Sequence, residues 1–176
     1  MDYSIIDTII AIDVGAGGAI AMWRDGKITV VNMPKNLTDL SEYIGYIKSI
    51  SHKPILFCEH VQMRPQDSQG GKQFGIIKML KNYHQIEALI KNAHLPFIPV
   101  VPRTWQSKLK IHISREDYQV RKKRYKNIAQ EWHKELKVTL KNCDALLILR
   151  FARYVLQNEP KWIDERFPRD YMLFSE

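Results

Sequence analysis

At 176 residues the chain has room for one domain with a core of its own. Its 45% hydrophobic and 26% charged content is that of an ordinary globular protein, but 27 Lys+Arg against 19 Asp+Glu leave a formal charge of +8 and a sequence pI near 9.5. Such an excess favours a polyanionic partner, and the absence of any uninterrupted apolar stretch of about 18 residues argues against a membrane span.

The elements read as strands followed by helices. Residues 5–14 are apolar and β-branched, and a Gly-rich turn leads from them into a second strand over 19–23. Asp25-Gly26 signals a hairpin, after which Lys27–Asn32 returns as a third strand. Thr38 or Asp39 is placed to cap a helix through about residue 50, with Leu40, Tyr43, Ile44 and Ile47 on one face. A fourth strand over 55–58 ends at Glu59, and a polar loop (62–71) precedes a helical pattern over about 74–93. The fifth strand, 95–101, contains prolines and belongs near a sheet edge. Ser114 is read as the cap of a basic helix reaching about residue 136, and a last helix spans about 140–156. The pattern predicts an α/β fold whose mixed sheet carries helices on both faces, in one domain over 1–176 with a core over about 5–157 and a tail over about 158–176.

Cys58 and Cys143 sit in apolar runs and make neither a disulfide framework nor a metal spacing, so buried reduced thiols are expected. The first residues lack a basic segment, and Asp7 and Asp13 interrupt the apolar stretch. A secretory signal is therefore not read, and a cytoplasmic setting is expected.

Three acidic residues stand in unusual company. Asp13 closes the run Thr8-Ile9-Ile10-Ala11-Ile12, Glu59 closes Ile55-Leu56-Phe57-Cys58, and Asp144 stands in Cys143-Asp144-Ala145-Leu146-Leu147-Ile148-Leu149. A carboxylate in such surroundings is desolvated unless a cation or a hydrogen-bond donor meets it. If the first and fourth strands are parallel neighbours, Asp13 and Glu59 emerge side by side, and the last helix can bring Asp144 to the same point. Carboxylates gathered in this way repel one another, and oxygen-only ligation favours Mg²⁺ or Mn²⁺ over zinc. Each also has a plainer role to fill: a turn cap for Asp13, an ion pair for Glu59, a first-turn helix charge for Asp144.

The ordered set resembles the RuvC-type Holliday-junction resolvases. Asp13-Val14-Gly15-Ala16-Gly17-Gly18-Ala19-Ile20-Ala21 is similar to the family's first motif, and Phe57-Cys58-Glu59-His60-Val61-Gln62-Met63 to its second. Gln69-Gly70-Gly71-Lys72-Gln73-Phe74-Gly75 is similar to a segment of phage-type members. Val101-Pro102-Arg103-Thr104-Trp105 and Asn142-Cys143-Asp144-Ala145-Leu146-Leu147-Ile148 are similar to the later motifs. The resemblance implies an RNase H-like (retroviral-integrase-type) five-stranded mixed sheet flanked by helices. It also implies a homodimer acting on four-way junctions or other branched DNA, in a bacterial or phage-infected cell. The implied chemistry is phosphodiester hydrolysis with two Mg²⁺ ions about 4 Å apart, leaving 5′-phosphate and 3′-hydroxyl ends. In that scheme Asp13 bridges both ions, and Glu59 and Asp144 hold one each.

Two departures stand out. Lys141 occupies the position where the family carries a further acidic residue or a histidine, three residues before Asp144, and it is expected to contact the scissile phosphate or the attacking water. Gln62 stands where some relatives place an aromatic wedge, leaving Met63 as an apolar substitute. DNA contacts are expected from Arg64, Lys72, Lys78, Lys81, Arg103, Lys108, Lys110, Arg115, Arg121, Lys122, Lys123, Arg124 and Lys126, the densest group lying at 121–126. Trp105, Trp132 and Trp162 are read as core or interface residues. Two rivals remain: a junction-binding protein of the same fold with weak or no activity, and an actin-like phosphotransferase, for whose two-domain cleft the chain is short.

Overall fold

The structure, a computed structural model, describes residues 3–15, 17–63 and 73–165. Strands β1 (Thr8–Ile12), β2 (Ala19–Arg24) and β3 (Lys27–Asn32) form an antiparallel meander. The β2–β3 turn has positive φ at both Asp25 (49°) and Gly26 (77°), the geometry whose twist suits a two-residue hairpin. Strand β4 (Pro54–Glu59) pairs parallel to β1, and β5 (Phe97–Val100) pairs parallel to β4, giving the order β3-β2-β1-β4-β5. Position in the sheet explains composition. Central β1 is buried along its whole length and so reads as a continuous apolar run. Edge strand β3 alternates in exposure, and edge strand β5 tolerates Pro99, which has no N–H to donate.

Helices cover both faces. On one, α1 (Leu37–Ile50) and α2 (Gln73–Asn92) bury Leu40, Ile44, Ile47, Tyr83 and Ile86 against Ile10, Ile12, Leu56 and Cys58. The other carries α3 (Pro102–Lys108), α4 (Tyr118–Trp132), α5 (Cys143–Asn158) and α6 (Pro160–Asp164), packed against Ala11, Ala21 and Phe57. Helix α5 lies across β1, β2 and β4 while α3, α4 and α6 pack on it from outside. Enclosed in that way, it is apolar around most of its circumference.

The mixed five-stranded sheet flanked by helices agrees with the sequence reading, and several boundaries do not. Strand β1 starts at Thr8, because Tyr3–Ile5 form a 3₁₀ turn and Asp7 accepts from the His52 and Lys53 N–H groups at 2.8 and 3.1 Å. Asn36, rather than Thr38 or Asp39, caps α1, its Oδ1 accepting from the Asp39 N–H at 2.9 Å. Helix α4 begins three residues after Arg115, whose φ of 59° interrupts the helix expected from Ser114, and Asp117 supplies the cap. Helix α3 lies outside the elements that the sequence predicts: it starts at Pro102, and proline is favoured at the first helical position. Both cysteines are free and buried, as expected. Among the described residues no helix is long and apolar enough to cross a membrane.

Candidate active site

The parallel register of β1 and β4 pairs Ile12 with Cys58, so Asp13 and Glu59 leave the two strands at the same level. Asp13 is 6% exposed, and its Oδ1 accepts from the Gly15 N–H at 3.3 Å. It therefore caps its own turn and faces Glu59 as well. Asp144 arrives from the other direction, in the first turn of α5, where the helix dipole favours negative charge.

A hydrogen-bonded turn sets the start of that helix. Asn142, itself buried, accepts from the Thr139 N–H at 2.7 Å through Oδ1 and donates to the Lys137 carbonyl at 3.2 Å through Nδ2. Thr139 Oγ1 in turn accepts from the Lys141 and Asn142 N–H groups.

Asp13 and Glu59 both feel the charge of Asp144. Burial, and then the charge of Asp144, push the Asp13 carboxyl up to about 6. Burial, followed by Asp13 and Asp144, raises Glu59 well above the ordinary carboxylate range. One cation opposes this accumulation. Lys122 Nζ lies 2.6 Å from Asp144 Oδ2, and its charge favours the ionised forms of Asp13 and Glu59 too. Burial disfavours the Lys122 ammonium, but Asp144 outweighs it and the proton is held more tightly than usual. The other Asp144 oxygen faces the Cys143 thiol at 3.2 Å. That thiol is kept protonated by burial and by Asp144, which push it up to about 12.

A buried aromatic pair backs the cluster. The Trp105 and Tyr125 rings lie 5.5 Å apart. The Trp105 N–H approaches Glu59 closely enough to favour its charge, yet it falls short of a full hydrogen bond, as does the Tyr125 hydroxyl.

The donor set of Asp13 and Glu59, all oxygen and crowded with negative charge, suits a hard divalent cation. The third carboxylate, Asp144, is engaged by Lys122 at one oxygen and by Cys143 at the other. Among the described residues, no three His, Cys, Asp or Glu side chains are grouped as a ready-made metal site.

The remaining expected residues divide. Lys141 is exposed in the turn before α5, and no contact joins its side chain to the carboxylates. Lys122 points into the site rather than toward solvent. Arg124 is engaged by both oxygens of Glu116, at 2.7 and 2.6 Å, and Lys108 pairs with Glu159. Arg121 lies over the Tyr118 ring at 5.4 Å. Lys78, Lys81, Arg103, Lys110, Arg115 and Lys123 are exposed, and Lys126 is partly so. Lys78 also lines a groove of about 310 Å³ together with Val14, the neighbour of Asp13. Arg64 and Lys72 lie outside the described residues, as does most of the 69–75 motif. Trp105 is core, as read, while Trp132 is partly exposed beneath Arg150.

No protein-family model matches the chain, and no curated protein matches it. Among solved structures, a Thermus thermophilus RuvC structure superposes with a TM-score of 0.51 at 12% identity, covering 85% of this chain and 95% of that one. The fold is RuvC-like. A second structure, T. thermophilus RuvC in complex with Holliday junction substrate, gives a TM-score of 0.48 at 12% identity, covering 86% and 95%. Within the RuvC-like fold, Asp13, Glu59 and Asp144 gather where two parallel central strands end and one helix begins.

Sequence reasoning counts Lys122 among the DNA contacts and not in the carboxylate cluster, where it pairs with Asp144, and gives Asn142 no role of its own. The signal for Lys122 was available: it lies three and seven residues before Tyr125 and Ala129, so a lysine stands on the buried stripe of α4.

Proposed function

We propose that the protein is a structure-selective endonuclease that resolves four-way junctions or other branched DNA by metal-dependent phosphodiester hydrolysis. The observation that carries this reading is the gathering of Asp13, Glu59 and Asp144 at one end of the sheet, where burial and Asp144 raise Asp13 and where burial, Asp13 and Asp144 raise Glu59, a charge density that calls for cations. Asp13 and Glu59 would hold Mg²⁺, or Mn²⁺ in its place. When bound, such an ion supplies Lewis-acid charge to the phosphoryl oxygens and to the attacking water. The chain's own part is placement: Gly15 fixes the Asp13 carboxylate, the Asn142 turn fixes α5, and Lys122 holds Asp144. Water oxygen forms the new bond to phosphorus while the bond to the 3′-oxygen breaks, leaving 5′-phosphate and 3′-hydroxyl ends without a covalent intermediate.

Exposed cations, among them Lys78, Lys81, Arg103, Lys110 and Lys123, would neutralise backbone phosphates. A branched substrate with two-fold symmetry is matched by a homodimer. Helix α2 offers a surface for it: Tyr83, Ile86 and Ile90 turn inward, while Phe74 and Ile77 are 81% and 50% exposed.

The test compares four-way junction, fork and linear duplex of matched sequence in Mg²⁺ or Mn²⁺. The reading expects nicks on branched substrates that a chelator abolishes, and failure to cut any of them in either metal overturns it. The pairing of Lys122 with Asp144 favours a second reading, a junction-binding protein without cutting activity. Tight binding with no nicks selects that alternative.

A further inference from the structure

We infer that Lys122 takes the place of a second cation, so that the site accepts one divalent ion, held by Asp13 and Glu59, instead of two. The inference rests on the nuclease reading and narrows the pair of ions that the family resemblance implies.

The argument begins with position. Lys122 and Asp144 form an ion pair at 2.6 Å whose side chains are 15% and 12% exposed, so this is no solvated surface contact. The lysine is presented by a packed helix: α4 is capped by Asp117, and Tyr125 and Ala129 bury its inner stripe against α5. Withdrawing the ammonium would leave Asp144 charged and desolvated beside two further carboxyl groups, with the Cys143 thiol as its remaining side-chain donor among the described residues.

Charge leads to the same conclusion. One ammonium and one divalent ion neutralise three carboxylates. Two divalent ions beside a retained ammonium would leave the pocket positively charged, and a second ion would have to compete with Lys122 for Asp144. The chemistry is compatible with this exchange, because a lysine ammonium can provide charge and hydrogen bonds to a phosphoryl oxygen, as a second metal would provide charge and coordination. Lys141 does not offer a substitute ligand, since a charged lysine binds no metal and its side chain is exposed.

The experiment measures Mn²⁺ stoichiometry by calorimetry and by electron paramagnetic resonance, without DNA, on the wild type, Lys122→Met, Lys122→Arg and Asp144→Asn. Circular dichroism checks that each variant is folded. One ion per chain is expected for the wild type, Lys122→Arg and Asp144→Asn, and a second ion, spin-coupled to the first, for Lys122→Met. If Lys122→Met does not fold, the comparison of wild type with Asp144→Asn decides, because loss of an ion on removing Asp144 would mean that this carboxylate already held one. Two ions on the wild type overturn the inference and leave the nuclease reading standing. One ion on folded Lys122→Met overturns it too, and no ion on any variant overturns both.

Discussion

Gly18 sits so close to Asp13 that a Cβ added to it would lie 2.1 Å from the Asp13 carbonyl oxygen and 2.9 Å from the carbonyl carbon. The obstacle is backbone, so no side chain can swing aside. Around this contact the Gly18 N–H donates to the Gly15 carbonyl at 2.7 Å, and the Asp13 N–H donates to the Ala19 carbonyl at 3.0 Å. Gly18→Ala must therefore displace the turn that carries Asp13. A loss of about 3 kcal/mol is expected in denaturant unfolding. Gly17→Ala, which would meet nothing within 4 Å, is expected to stay close to wild type.

Asn142→Ala removes the side chain that closes the turn before α5 and leaves the Thr139 N–H and Lys137 carbonyl without that partner. A cost of about 1–3 kcal/mol is expected. Because the turn sets where Asp144 begins its helix, Mn²⁺-supported cutting should fall further than stability alone explains. Assays well below the variant's melting temperature separate the two effects.

Stability and pH are linked through the raised carboxyls. The folded pKa of Asp13, about 6, lies above its unfolded value, and Glu59 is shifted the same way. Between those values the folded state binds the extra protons. The contribution of these groups is thus fully present below about pH 4 and is lost as pH rises through about 6. Without divalent ions, the wild type should lose melting temperature from pH 5 to pH 7.5 relative to Asp13→Asn. Mg²⁺ should recover that loss at pH 7.5 and do little at pH 5. Thermal melts in chelator and in Mg²⁺ check both signs.

Basic residues of similar appearance should behave differently. Arg103 and Lys123 are exposed, so alanine at either should weaken junction binding and lower the salt slope by about 1. Lys108 and Arg124 are held by Glu159 and Glu116. Alanine at these should lower the melting temperature and leave the salt slope nearly unchanged. Binding titrations at several salt concentrations, paired with melts, make the distinction.

What the sequence disclosed follows from where patterning is strong. Residues 9–12 and 55–58 are apolar because their strands are covered on both faces, and each run stops at a carboxylate, which made Asp13 and Glu59 legible. The β2–β3 hairpin was legible from Asp25-Gly26, whose positive φ values few other dipeptides accept. Caps were less legible, because Asn36, Thr38 and Asp39 are all competent and the choice depends on how the chain leaves β3. Lys122 was hidden in a basic run. Its neighbours Lys123 and Arg124 face solvent or Glu116, and only the helical period singles out the lysine that turns inward. The elevation of Asp13 and Glu59 also depends on a contact between distant segments, which no local pattern encodes.

The most direct measurement is cleavage of a labelled four-way junction in Mg²⁺ by Asp13→Asn, Glu59→Gln and Asp144→Asn beside the wild type, with junction binding measured in chelator. Binding should stay within a few-fold of wild type while cutting falls at least about 100-fold for each variant. Wild-type cutting by any folded variant would remove that residue from the site, and wild-type cutting by Asp13→Asn and Glu59→Gln together would contradict the account.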